Sequence, residues 1–164
     1  MNEEKILVSP LARAKIKILI FSLLTLIAAF LPTVIHSQFI TGPLVNMALI
    51  LATFLVGPFE AVFLGLMPSV LALVSGLLPL PLAPAVPFIM ISNAILVGVY
   101  YYLGRKNFGL TILAAAFLKF LFLYELSNLW LPKVLTSMLG WVQFYTAVLG
   151  GIMAYLVLKF ITPD

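Results

Sequence analysis

Cysteine is absent from the 164 residues, and histidine occurs once. The first absence excludes disulfides, iron–sulfur clusters and thiolate nucleophiles, and the second excludes a zinc site built on several imidazoles. Aspartate occurs only as Asp164, so the proton-sharing pair of an intramembrane aspartyl protease is missing. No phosphate-cradling G-x-x-x-x-G-K-[ST] run is present. A Ser–His pair would have to use His36 with Ser37, and a Ser–Lys dyad would have to use Lys119, but no motif surrounds either. The chain is therefore expected to carry neither an ATPase nor a hydrolase, and to need no metal or cofactor. Charge is scarce as well: 9% of residues are charged, whereas soluble domains carry about a quarter.

What remains is apolar. Hydrophobic residues make up 64% of the chain and mean hydropathy is +1.24, which is the composition of a membrane protein. The length accommodates about six spans of roughly 20 residues and leaves nothing over for a soluble domain. The expected fold is all-α: a single, compact six-helix transmembrane domain over residues 1–164. The net charge of +4 encodes orientation here rather than nucleic-acid binding, because in a membrane chain the placement of Lys and Arg matters more than their sum.

Breakers and apolar runs set the boundaries. The first span follows Arg13, Lys15 and Lys17, runs from Ile18 to Leu31 and ends near Pro32, with Thr33 to Ile35 able to prolong it. Basic residues before an apolar run also fit a signal peptide, but the run is long and is read as a span. Leu44 to Leu78 is too long for one crossing and must fold back, with Gly57-Pro58 as the break because Gly ends helices and Pro begins them. Glu60 then falls in the first turn of the third helix, where a carboxylate suits the helix dipole. Pro79, Pro81, Pro84 and Pro87 make a stiff apolar loop before the fourth span, Phe88 to Leu103, which stops at Gly104-Arg105-Lys106-Asn107. The fifth span runs from Leu110 to Leu126 and the sixth from Leu135 to Ile161.

With the N-terminus inside, Lys5, Arg13, Lys15, Lys17, Arg105, Lys106 and Lys159 lie on inner segments and only Lys133 on an outer one. An even span count and the Lys/Arg bias agree independently that both termini are cytoplasmic. Trp130 and Trp141 then flank the outer surface, and Tyr100, Tyr101 and Tyr102 approach the inner one. Small residues at four-residue spacing mark close helix packing in lipid. The third helix carries Ala61, Gly65, Ser69, Ala72 and Gly76, with Pro68 expected to bend it. The sixth carries Gly140, Ala147, Gly150, Gly151 and Ala154, whereas the first offers only Ser22, Thr25 and Ala29.

Polar side chains inside a bilayer are costly and usually face a cavity or a partner. Asn46, Asn93, Lys119, Glu125 and Gln143 come from four different spans that send polar groups toward the outer half, with Lys119 close to mid-depth. Asn128 stands three residues beyond Glu125, and the connector before the second span adds His36, Gln38 and Thr41. Apolar walls with a few converging polar groups are what a small-molecule pocket requires. In such a pocket Lys119 holds an anionic group, and Phe122, three residues from both Lys119 and Glu125, presents a ring to a planar ligand, with Tyr124 beside it. The bland alternative is that Lys119 pairs with Glu125 or helix carbonyls as a structural contact. A channel would need polar groups continuing into the inner half, and these are not found.

The run His36-Ser-Gln-Phe-Ile-Thr-Gly-Pro-Leu-Val-Asn46, the Gly57-Pro58 turn and the Ala61, Gly65, Ser69 row, within a six-span layout, resemble the substrate-binding S component of an energy-coupling factor (ECF) vitamin transporter. In hydropathy the resemblance covers nearly the whole chain, and locally it covers His36 through Gly76. It implies capture of a micronutrient at the outer face, with a membrane-embedded coupling subunit and two cytoplasmic ATPases as partners that drive inward release by tipping the S component. It also implies a lid from the loop joining the first two spans, here Pro32 to Pro43 with His36 and Thr41, and a pocket lined by the fourth to sixth spans. The Ala-x-x-x-Ala docking face common on the family's first helix is not present, and Ser22, Thr25 and Ala29 are its nearest equivalent. A structural or assembly subunit of a membrane complex is the competing reading.

Overall fold

The computed structural model describes residues 10–35, 37–76, 80–130 and 139–161. Among these residues the fold is all-α, with six principal helices and no strand: α1 (Pro10–Val34), α2 (Gln38–Leu55), α3 (Pro58–Val74), α4 (Val86–Leu103), α5 (Phe108–Trp130) and α6 (Trp141–Ile161). Five are long and apolar enough to cross a membrane, and α3, at 17 residues, is apolar but shorter. Large apolar side chains such as Leu19, Phe30, Phe59, Val74, Leu129 and Phe160 are exposed around the bundle. A surface of this kind marks contact with lipid or another apolar partner.

The breakers act largely where their chemistry requires. Gly57 caps α3 and Pro58 opens it, with Glu60 in the first turn. The α3 helix ends at Val74, and Gly76 takes a positive φ of 73°, the left-handed conformation that glycine supplies just beyond a helix end. Gly76 therefore lies outside the small-residue row that the spacing predicts, whereas Ala61, Gly65 and Ser69 are buried on one face of α3 and buried Pro68 stands within the helix. The proline-rich stretch is not an irregular loop throughout, because Leu80–Ala85 forms a 3-10 helix leading into α4, with Pro87 in the first turn. Asn107 starts α5 as a side-chain cap, its Oδ1 accepting the Leu110 N–H at 3.0 Å.

Two prolines lie within helices: Pro32 in the stretch that can prolong the first span, and Pro43 inside α2, which starts before the expected Leu44. Around Pro32, α1 continues to Val34 because a π-helical segment, Leu26–Phe30, precedes the proline and the Leu31 N–H bonds back to the Leu26 carbonyl. Widening that turn accommodates a residue that has no N–H and crowds the carbonyl four residues back. Pro43 sits inside α2, in its second turn. The stretch expected to form a lid, Pro32 to Pro43, thus includes the end of α1 at Val34 and the first turns of α2, to which Gln38 and Thr41 belong. His36 and Lys133 lie outside the described residues.

The core is assembled around α2, which packs against α1, α3, α4 and α6. Leu49, Ile50, Leu64, Leu96, Val97 and Tyr100 are fully enclosed together with Ala48, Ala52, Ala61, Ala115, Ala116 and Ala154. The many alanines there let the helix backbones approach closely.

Candidate functional site

The polar site is positioned by glycines. On α6, a Cβ at Gly150 would fall 2.6 Å from the Asn46 Cβ and 2.8 Å from the Pro43 carbonyl oxygen, both on α2. Reciprocally, a Cβ at Gly42 of α2 would fall 2.7 Å from the Thr146 Cγ2 on α6. Gly150 thus gives up a side chain to receive the α2 backbone, and Gly42 gives one up to receive the Thr146 side chain. Gly65 does the same for α3 and α4, since a Cβ there would stand 3.0 Å from that of Asn93. These approaches bring short polar side chains from separate helices within reach of one another.

Lys119 of α5 occupies the centre and is only 2% exposed. Its Nζ donates to Asn46 Oδ1 at 2.8 Å and to Asn93 Oδ1 at 2.7 Å. Turned outward from the ammonium, the Asn93 amide donates to the Gly65 carbonyl at 2.8 Å. The Asn46 amide donates to Thr146 Oγ1 at 3.4 Å, and the Thr146 hydroxyl donates to the Gln143 carbonyl at 3.1 Å. One chain of hydrogen bonds thus joins α2, α3, α4, α5 and α6. Both amide orientations follow from the cation, because an ammonium has three donors and no acceptor and selects the carbonyl end of each Asn.

The electrostatic balance is incomplete. The carboxylates among the described residues are Glu60 and Glu125, both exposed, and neither pairs with Lys119. Two neutral amide oxygens therefore hold a buried cation, and its third N–H is left available. A lysine buried without a counter-charge is costly to keep protonated, and an anion beside it would offset that cost.

The predicted site residues divide accordingly. Asn46, Asn93 and Lys119 converge as their burial requires. Gln143 contributes its backbone carbonyl, while its side chain is half-buried. Phe122 is half-buried, and Glu125, Asn128 and Tyr124 are exposed. The reason is helical drift: at about 100° per residue, steps of three carry Glu125 roughly 120°, and Asn128 roughly 180°, around α5 from Lys119. The Lys119–Glu125 pair weighed as the structural alternative is therefore not formed. Tyr124 stacks on Phe120 at 5.4 Å within an aromatic group that includes Trp141 and Phe144. Gln38 is half-buried at the start of α2, and Thr41 is buried with its hydroxyl donating to the Ser37 carbonyl at 3.0 Å.

Thr146 and the Gly65 carbonyl escaped sequence reasoning. The available signal for Thr146 was its position four residues before Gly150, on the small-residue face of α6. The docking stripe on α1 is not continuous: Ser22 is exposed, Thr25 is half-buried and bonds to the Phe21 carbonyl, and Ala29 is buried in the bundle. Comparison with known protein families, with curated proteins and with solved structures finds no match to this chain.

Proposed function

We propose that this chain is the substrate-specificity subunit of an ECF-type importer, binding a small anionic micronutrient around Lys119 in the outer half of the bundle. The single observation behind this reading is the buried ammonium of Lys119, held by two amide oxygens and without a carboxylate partner among the described residues. A ligand carboxylate or phosphate supplies the missing charge and accepts the third N–H, and the apolar helices around it exclude water and strengthen that contact. Asn46 and Asn93 orient the ammonium, and Phe122 contributes apolar contact from the half-buried flank of α5.

In this reading both termini are cytoplasmic, which puts Arg13, Lys15, Lys17, Arg105, Lys106 and Lys159 inside. The chain itself breaks no bond. A coupling subunit in the membrane and two cytoplasmic ATPases drive reorientation and inward release, and the membrane lipid is the medium in which the subunit turns.

The test is mass spectrometry of small molecules released on denaturing the protein purified from membranes. An anionic molecule at about one per chain is expected, reduced at least about tenfold in Lys119→Met, the equivalent of about 1.4 kcal/mol. Recovery of a coupling subunit with ATPases would identify the partners. Empty protein from every growth medium, or equal retention by the variant, would overturn the proposal.

The competing reading, a structural or assembly subunit of a membrane complex, rests on the same network. Asn46 and Asn93 each have both ends engaged by protein groups, as polar residues that join helices do.

A further inference from the structure

The Lys119 centre supplies two acceptors to a group that can carry either two N–H bonds or three. Asn46 Oδ1 and Asn93 Oδ1 take one each, at 2.8 Å and 2.7 Å. An unprotonated amine has two N–H groups and a lone pair, so these oxygens satisfy its donors completely. The ammonium carries a third N–H, for which the described residues supply no acceptor. Neither amide can turn to change this count, because the NH2 end of Asn93 is bonded to the Gly65 carbonyl and that of Asn46 to Thr146. The frame is therefore the same for both forms of the lysine, which differ by one N–H and one unit of charge.

That charge has nothing opposite it. Lys119, Asn46, Asn93 and Thr146 are none of them more than 3% exposed. The groups that face the amine from α2, α4 and α6 are amides and a hydroxyl, which do not ionise near neutral pH. Along α5 itself the enclosed neighbours one turn away are Ala115, Ala116 and Leu123. The ionisable side chains of the surrounding helices lie elsewhere. Glu60 of α3, Tyr101 and Tyr102 of α4, Tyr124 and Glu125 of α5, and Tyr145, Tyr155 and Lys159 of α6 are exposed, and Tyr100 of α4 packs against Phe54 and Phe108. Bringing a monovalent anion to the unprotonated amine would bury one negative charge, and protonating the amine alone buries one positive charge. Adding both leaves the bundle with no net charge gained and gives the third N–H its acceptor.

We infer that the anion and a proton occupy the Lys119 site together: the ammonium is the form that meets the anion, and when the anion leaves, the third proton leaves with it. The proton comes from the aqueous phase, and the amine keeps its two N–H bonds to Asn46 and Asn93 throughout. The anion is thereby bound in the stoichiometry of its acid, and binding adds no net charge to the bundle. By linkage, each occupant raises the affinity for the other. This rests on the reading of Lys119 as the anion site and names the second ion that the site takes.

Thiocyanate is the probe for the test, because it stays an anion across the accessible pH range and any proton taken up with it goes to the protein. The full-length protein in detergent is titrated with thiocyanate in weak buffer containing an indicator dye, beside Lys119→Met and Lys119→Arg. The difference between the wild-type chain and Lys119→Met separates this site from the exposed basic residues. At about pH 8 the wild-type site is expected to take up about one proton per thiocyanate, with an affinity that falls up to about tenfold per unit of rising pH, the slope of a one-proton linkage. Lys119→Arg, whose guanidinium keeps its charge, should bind thiocyanate without proton uptake and independently of pH. The wild-type proton count decides the matter even where arginine does not pack. Thiocyanate bound at Lys119 with no proton taken up would overturn this inference and leave the anion site standing. A pH dependence that persists in Lys119→Arg would place the proton on another group and overturn it as well. Equal binding by the wild-type chain and Lys119→Met would overturn both this inference and the anion site on which it rests.

Discussion

Lys119 and Tyr100 are both large polar side chains enclosed by the same bundle, yet one is bound on two sides and the other on none. The Lys119 ammonium lies where glycines have drawn α2, α3, α4 and α6 together, so that Asn46 and Asn93 reach it from opposite flanks. Around Tyr100 the neighbours are Phe54, Phe108, Ile112 and Gly151, which can pack against a ring but cannot accept its proton. Close helix approach with short amides makes a polar centre that holds one geometry. Enclosure by aromatic and aliphatic groups leaves the Tyr100 hydroxyl without an acceptor.

The largest expected effect comes from prising apart the helices that form the Lys119 centre. Gly150→Val places methyl groups against the α2 backbone, which cannot yield, and should cost about 3 kcal/mol or more, at the upper end of overpacking. Thermal unfolding followed by size-exclusion chromatography should show a loss of monodisperse protein. An unshifted transition would mean that α2 and α6 are not held by this contact. Next in size, Lys119→Met leaves two amide oxygens without a donor and should destabilise by about 2 kcal/mol. In a double-mutant cycle with Asn93→Leu the two losses should be clearly less than additive. Strict additivity would dissolve the network into separate contacts.

Gly65→Ala is a gentler version of the same test, since its Cβ meets side chains and no backbone, Asn93 at 3.0 Å and Leu49 at 3.5 Å. A loss of about 1 kcal/mol is expected, in the typical range for a point substitution. Tyr100→Phe sharpens the comparison by reversing the sign. In lipid-free detergent it should be neutral or stabilising by up to about 1 kcal/mol, because it removes an unsatisfied buried hydroxyl. A marked loss of stability there would mean that the hydroxyl is bonded to something within the protein. Smallest of all, Glu125→Gln should change stability by less than about 0.5 kcal/mol, because the carboxylate is exposed and off the Lys119 face.

Much of the site was legible because polar residues are rare within helices this apolar. Asn46, Asn93 and Lys119 stand out against apolar runs, and residues that are costly to expose to lipid must face one another in a small bundle. Their partners were harder to read for specific reasons. Glu125 looked like the counter-charge of Lys119 because both lie on α5 three residues from Phe122, but two successive steps of three move a side chain about a third of a turn off the face. Thr146 looked unremarkable because threonine is common in membrane helices, and only the Gly42–Gly150 approach makes it a partner. Pro32 and Pro43 looked like the two limits of a connector, near the end of the first span and before the start of the second, because proline disrupts a regular α-helix. The chain instead widens one turn into a π segment and places the other proline in the second turn of α2.

Composition by itself determined that this protein is helical and that its helices are apolar enough for a bilayer, because a backbone removed from water must satisfy its own hydrogen bonds. Single residues such as Gly57, Pro58 and Asn107 likewise determined local starts and stops, through constraints that act within a few residues. Which polar groups meet was decided only by the tertiary structure. Contact across helices depends on the rotation and separation of whole elements, and those are set by where glycine lets two backbones touch.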